Sequence, residues 1–232
     1  MLHAIQHNKI KSEVRKNFKA SEDSLTSSIF GNLLHLPLEL FWHILQQSCK
    51  DTSLPTNTGK LISYEFWPHW DSTGTNNNNF IEPDLFFQFE NFNVIVEAKR
   101  WDNDSQKRTQ WKDQIKAYNN EYGDLNKNFF IIAVGGNINT ITDELIHAKV
   151  FKINWNSILS SIKKTYLILN KSRGLTTNID ANLNILDGLI HFFEIHGFFT
   201  GEWFDTFNTK PTFNIKYDTS LILPFTNING KQ

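Results

Sequence analysis

Cysteine is all but missing from this chain, and so is any excess of one charge. Cys49 is the single cysteine among 232 residues. That excludes an intramolecular disulfide and a cysteine metal cluster, and leaves Cys49 as a packing residue expected to be buried. No apolar run is long enough to cross a bilayer, and the opening M-L-H-A-I-Q-H-N-K has no signal-peptide pattern. The expected setting is cytoplasmic and reducing, with no membrane. Lysine and arginine number 23 against 24 aspartates and glutamates, a net charge of -1. Proteins that grip nucleic acid by its phosphates are basic on at least one face, so any such grip here has to come from local clusters. The histidines make no ligand pattern. His191 and His196 stand five apart on an expected helix, off a common face, and are given no role.

What is present is core-forming material. Hydrophobic residues make up 40% of the chain and aromatics 14%, which supports a packed core and argues against disorder. The length fits one domain with an extension, or at most two small ones. Residues 83–99 carry the most information. Asn93 to Ala98 reads N-V-I-V-E-A, a β-branched run suited to a strand. Alternation puts Val94, Val96 and Ala98 on one face and Ile95, Glu97 and Lys99 on the other. Apolar residues on both faces mark a central strand, so Glu97 is expected to be partly desolvated. Upstream, Leu85-Phe86-Phe87-Gln88-Phe89 reads as a second strand, with Glu90-Asn91 as the hairpin turn. Asp84, after Pro83, opens that strand within reach of Glu97 across the ladder. Two carboxylates so close in a buried setting repel each other unless a cation lies between them. Hard oxygen donors with open positions suit Mg²⁺ or Mn²⁺. The plainer alternative is an ordinary turn at Pro83-Asp84 and an exposed strand edge at Glu97 and Lys99.

Two helices flank this stretch. Residues 105–122 place Trp111, Ile115, Tyr118 and Tyr122 on one helical stripe, with Gln114 at its flank one turn before Tyr118. Earlier, Ser21 is a suitable N-cap for a helix whose apolar face is Leu25, Ile29, Phe30, Leu33 and Leu34. Glu22 falls near the middle of that face, where a carboxylate needs a partner. Alternatively, Glu22 and Asp23 simply favour the positive end of the helix. The pattern further predicts a helix over 38–47 and strands over 61–67, 80–89, 93–99 and 129–134, the last closed by Gly135-Gly136. A short helix around 143–147, a strand over 149–154 and helices over 156–169 and 180–193 follow. Residues 73–79, rich in asparagine, form a loop that either touches substrate or merely connects. Residues 203–225 read as an aromatic, turn-broken tail.

With these residues in this order, the chain resembles the PD-(D/E)XK nuclease superfamily over about residues 20–153. Asp84 matches the aspartate of the motif, Glu97 its second acid and Lys99 its lysine. Gln114 and Tyr118 match the Gln-x-x-x-Tyr helix motif of the exonuclease-like subset, and Glu22 resembles the extra glutamate that many members carry on the first core helix. The resemblance implies an α/β, restriction-endonuclease-like core: a mixed β-sheet of about five strands flanked by helices in the order αβββαβ. It divides the chain into a lead-in (1–19), a nuclease core (20–154) and a C-terminal helical and aromatic extension (155–232) packed on the core. It implies a Mg²⁺-dependent (or Mn²⁺-dependent) deoxyribonuclease. Asp84, Glu97 and the Ala98 carbonyl would hold the ion, with Glu22 acting directly or through water. Lys99 would orient the nucleophile and neutralise developing charge. Gln114 would hold the substrate backbone or the lysine, and Tyr118 would brace the helix or contact phosphate. Restriction enzymes, repair nucleases and phage-defence effectors share this core.

Arg100, Lys107, Arg108 and Lys112, with Lys116 beside them, are the candidate DNA contacts; as a bare pattern such a run reads as a solvated face. Lys9, Lys11, Arg15, Lys16 and Lys19 form a second cluster. Trp101 and Trp111 are candidates for stacking on bases, with core packing the alternative for Trp111. A different class of function fits the near-neutral charge: a DNA-binding or assembly subunit of a larger nuclease or defence complex, with little activity alone. The chain would then work as a homodimer or beside a partner subunit, with the aromatic tail around 203–213 as a contact surface.

Overall fold

The computed structural model describes residues 20–51, 54–101, 105–173 and 179–200. The basic cluster before residue 20 and the aromatic tail after residue 200 lie outside them. The described residues form an α/β unit around a six-stranded mixed sheet flanked by helices.

Helix α1 (Glu22–Leu33) starts at a capping box: the Ser21 hydroxyl accepts from the Ser24 N–H at 3.1 Å, and the Ser24 hydroxyl accepts from the Ser21 N–H at 2.9 Å. Pro37 then opens α2 (Leu38–Ser48). Strand β1 (Leu61–Phe66) is the exposed edge of the sheet. The run expected as one strand over 80–89 is split. Phe80–Ile81 (β3) pairs with Trp70–Asp71 (β2) in a separate two-stranded ribbon, and Leu85–Phe89 (β4) joins the main sheet. Pro83 lies between them and has no N–H to give a ladder. Strand β5 (Asn93–Ala98) pairs antiparallel with β4 and parallel with β6 (Phe129–Val134), and all six of its residues are buried. Helix α3 (Arg108–Tyr122), with a short 3₁₀ turn (Gly123–Leu125) after it, makes the crossover. It starts three residues later than the pattern predicts, because the N–H groups of Ser105 and Gln106 both donate to the Gly136 carbonyl at 3.1 Å.

The short helix expected around 143–147 is instead strand β7 (Asp143–Leu145), a hairpin partner of β8 (Ala148–Ile153). Five residues cannot repay helix nucleation. Cross-strand charges favour the hairpin: Asp143 meets Lys152 at 2.9 Å, and Glu144 meets Lys149 at 3.6 Å. This hairpin makes the sixth strand, one more than expected, in the order β1-β4-β5-β6-β8-β7. Helices α4 (Trp155–Lys171) and α5 (Ile179–Ile195) are not an appendage. Trp155, Ile158, Ile162, Leu186, Leu189 and Phe193 share one core cluster with Val94, Val96, Ala98 and the buried side of α1 and α2. Cys49 is half-buried at the rim of that cluster rather than in it. A second cluster, with Ile95, Ala133, Trp111, Ile115 and Tyr118, fills the space between the sheet and α3. Among the described residues, no helix is long and apolar enough to cross a membrane.

Candidate active site

The parallel strands β5 and β6 end side by side, and open α/β sheets bind ligands at such carboxyl ends. Glu97 and Ala98 close β5, and Lys99 follows it. Glu97 is 1% exposed, on the face with Ile95 that looks toward α3, as the alternation predicts. Leu85 pairs with Val96, so Asp84 stands one step on, opposite Glu97. It is 8% exposed, and its Oδ2 accepts the Ala98 N–H at 2.7 Å. Glu22, the first residue of α1, reaches the same place from beyond the sheet. Its Oε1 lies 3.2 Å from Lys99 Nζ, and its Oε2 accepts the Arg100 N–H at 3.1 Å. Its partner is thus Lys99; its position is the helix's first turn, not the middle of the apolar face.

Lys99 gathers the oxygens. Its ammonium donates to Glu97 Oε1, to the Ala98 carbonyl at 2.9 Å and to Glu22 Oε1. Its own carbonyl accepts from Trp155 Nε1 at 2.7 Å. Gly135, at φ 67°, turns the chain past this carbonyl, where a Cβ would come within 2.1 Å of Lys99 O.

Helix α3 and the segment just before it supply three amides. Gln114 Nε2 donates to Glu97 Oε2 at 2.5 Å, Gln110 Nε2 to Glu97 Oε1 at 2.7 Å, and Gln106 Nε2 to the Glu97 carbonyl at 3.0 Å. Gln110 and Gln106 were not expected in the site, although Gln110, four residues before Gln114, shares its helical face; Gln106 precedes the helix. Gln114 is fully buried rather than at the flank. Tyr118 is a brace. Its ring stacks on Phe129 with centroids 4.0 Å apart, and its hydroxyl accepts from Asn93 Nδ2 at 2.9 Å. Trp111 is 2% exposed and gives its Nε1–H to Gln106 at 3.0 Å, so it is core and no base platform. Trp101 stays open, 49% exposed.

Burial pushes Asp84 up to about 8, helped by the charge of Glu97 and opposed by the Ala98 N–H and Lys99. Burial likewise raises Glu97, against the pull of Lys99 and Gln114. Burial pulls Lys99 down, but Glu97, Glu22 and Asp84 outweigh it and hold the ammonium above its ordinary value. Ionising both buried carboxyls would therefore leave more negative charge than one lysine balances. Asp84, Glu97 and the Ala98 carbonyl are hard oxygen donors, the type that suits Mg²⁺ or Mn²⁺, and a divalent ion would supply the missing charge. They are not gathered as a finished cage: among the described residues, no three of His, Cys, Asp and Glu lie close enough to hold an ion.

The basic residues are dispersed. Arg100 follows Lys99, with its guanidinium 4.6 Å over the Trp101 ring. Lys107 is exposed just before α3. Arg108, Lys112 and Lys116 lie on the flank of α3 away from Gln110 and Gln114, lining a cleft of about 490 Å³ with Ile146. The loop over 73–79 is tied to α3, with Asn76 Nδ2 3.1 Å from Asp113 and Asn120 Nδ2 donating to the Thr73 carbonyl at 2.9 Å.

No family model matches the chain, and no solved structure matches it. It is similar to the uncharacterized protein PM0110 of Pasteurella multocida (strain Pm70), with 34% identity over 145 residues. Those residues are 59% of this chain and 53% of the other, so the chain spans about half the length of that relative.

Proposed function

We propose that the chain is a metal-dependent nuclease that hydrolyses phosphodiester bonds in DNA, on a restriction-endonuclease-like core. One observation carries the reading. Two buried carboxylates, a carbonyl and a lysine converge at the carboxyl end of a central parallel strand, with a third carboxylate reaching in from α1. Asp84, Glu97 and the Ala98 carbonyl would hold Mg²⁺ or Mn²⁺, with Glu22 behind them. The chemistry a bound ion supplies is polarisation of the scissile phosphate and a lowered pKa for an attacking water. Lys99 would neutralise the phosphate and orient the attacking water. Gln110 and Gln114 fix the Glu97 carboxylate so that its lone pairs keep one direction.

Purified protein is incubated with supercoiled, linear and single-stranded DNA, with Mg²⁺, Mn²⁺ or EDTA. Cleavage is expected with metal and absent in EDTA, and Lys99→Ala is expected to lose at least about 100-fold of it, with an unchanged circular dichroism spectrum. Undiminished cleavage by that variant sinks the assignment. Discrete fragments would point to restriction, and unspecific nicking to repair or phage defence. The unfinished cage and the displacement of Arg108 and Lys112 from the carboxylates favour a second reading, a DNA-binding or assembly subunit with little activity alone. That protein would retard DNA in EDTA and cut none with metal.

A further inference from the structure

Beside Glu97 opens a cleft of about 510 Å³, between the outer flank of α3 and the segment that carries β3. Gln110 and Gln114 form its inner wall, and Phe80, Glu82, Asn77 and Asp113 the rest that matters here. Its size is that of a small-molecule site. Two acids and several amides line it, and no lysine or arginine does. A phosphate would be repelled there. The acids are held by uncharged or weakly basic partners: Asp113 by Asn76 at 3.1 Å, and Glu82 by His69 Nε2 at 2.7 Å. Asn77 is fixed by donating to the Phe80 carbonyl at 2.9 Å.

Two features call for a flat, donor-bearing occupant. The Phe80 ring is stacked on the His69 imidazole with centroids 4.0 Å apart and planes within 18°, and is still 41% exposed. An aromatic ring presented in this way extends a stack. Gln114, 1% exposed, spends Nε2 on Glu97 and leaves Oε1 with no hydrogen-bond partner. A buried acceptor left unmatched costs about 1–3 kcal/mol until a donor fills it.

We infer that this cleft is a nucleobase subsite that selects bases carrying an amino group; its place beside the scissile phosphate rests on the nuclease reading above. The base stacks on Phe80, and the two N–H of its amino group meet Gln114 Oε1 and the Glu82 carboxylate, with Asp113 adding to the negative field. Adenine, cytosine and guanine offer such a group. Thymine turns carbonyl oxygens toward the acids and is disfavoured.

The test is saturation-transfer NMR on the full chain in EDTA, with deoxyadenosine, deoxycytidine, deoxyguanosine and thymidine as probes. Transfer to the amino-bearing bases is expected to exceed that to thymidine. It should fall at least about fivefold in Phe80→Leu, the low end of one stacking contact, while Phe80→Trp retains it. Phe80 is half-exposed, so neither change threatens the core. In Glu82→Gln the preference over thymidine should shrink. Equal transfer to thymidine, or full transfer in Phe80→Leu, overturns the subsite. Plasmid nicking by the same preparation is scored separately. Nicking with no base transfer removes the subsite alone, and base transfer without nicking removes the nuclease reading.

Discussion

Glu97 is held more tightly than any other acid of the site. An ammonium and two amides meet its oxygens, and a third amide takes its carbonyl. A carboxylate so bound cannot rotate, which suits a group that has to present one direction to a cation. Asp84 has less help, with one N–H and a raised pKa. Asp84→Asn keeps the acceptor for the Ala98 N–H and removes a carboxyl that burial makes costly to ionise. Metal-free protein carrying it at pH 7.5 is expected to be equally stable, or more stable by about 1 kcal/mol, in urea unfolding. Mn²⁺ should raise the melting temperature of the native chain and no longer that of the variant. A clear loss of stability in EDTA would mean that the charged form of Asp84 is structural.

At the scale of elements, the site depends on how strand ends are turned. Gly135 and Gly136 let β6 finish against the chain that leaves β5, and their positive φ angles of 67° and 64° are open to glycine at little cost. Gly136 also stands where a Cβ would lie 2.7 Å from Lys99 Cβ. Gly135→Ala combines left-handed strain of about 1–2 kcal/mol with a clash against Lys99 O. The expected result is a melting temperature lowered by several degrees and cleavage reduced more than the loss of folded protein explains. Wild-type cleavage per folded molecule would break the link between this turn and Lys99.

Across the whole molecule, α1 has to be docked for Glu22 to reach Lys99. His196, just past α5, ties the two helices: its Nδ1 lies 2.8 Å from the Phe192 carbonyl, and its Nε2 lies 3.1 Å from the Ser24 hydroxyl beside the α1 cap. A carbonyl can only accept, so Nδ1 carries a proton. Burial lowers the His196 pKa below 6.5, and the charge of Arg100 adds to this. The unfolded chain therefore takes up the proton first as pH falls. The contribution of His196 is full above pH 6.5 and is lost as pH drops through the lower, folded value. Since the raised Asp84 and Glu97 act in the opposite sense, the measurement is a difference. Between pH 7.5 and 5.5, the native chain should lose stability relative to His196→Gln. Parallel pH profiles for the two proteins would rule this contribution of His196 out.

Much of this was legible in the chain itself. The alternation in N-V-I-V-E-A depends only on strand geometry, so the faces of Glu97 and Val96 follow from residue order. The same holds for the helical stripe of Trp111, Ile115 and Tyr118, and for the N-cap at Ser21, because both are contacts within a few residues. Other features were decided only by tertiary structure. That 143–147 pairs as a hairpin depends on Lys152 and Arg108 at Asp143. That Gln110 serves Glu97, that Arg108 and Lys112 face elsewhere, and that α4 and α5 belong to the core depend on which face of each helix meets the sheet. Local periodicity determines what an element can bury. Which partner it buries it against is set by long-range packing, and so is the meeting of Glu22, Asp84, Glu97 and Lys99 at one strand end.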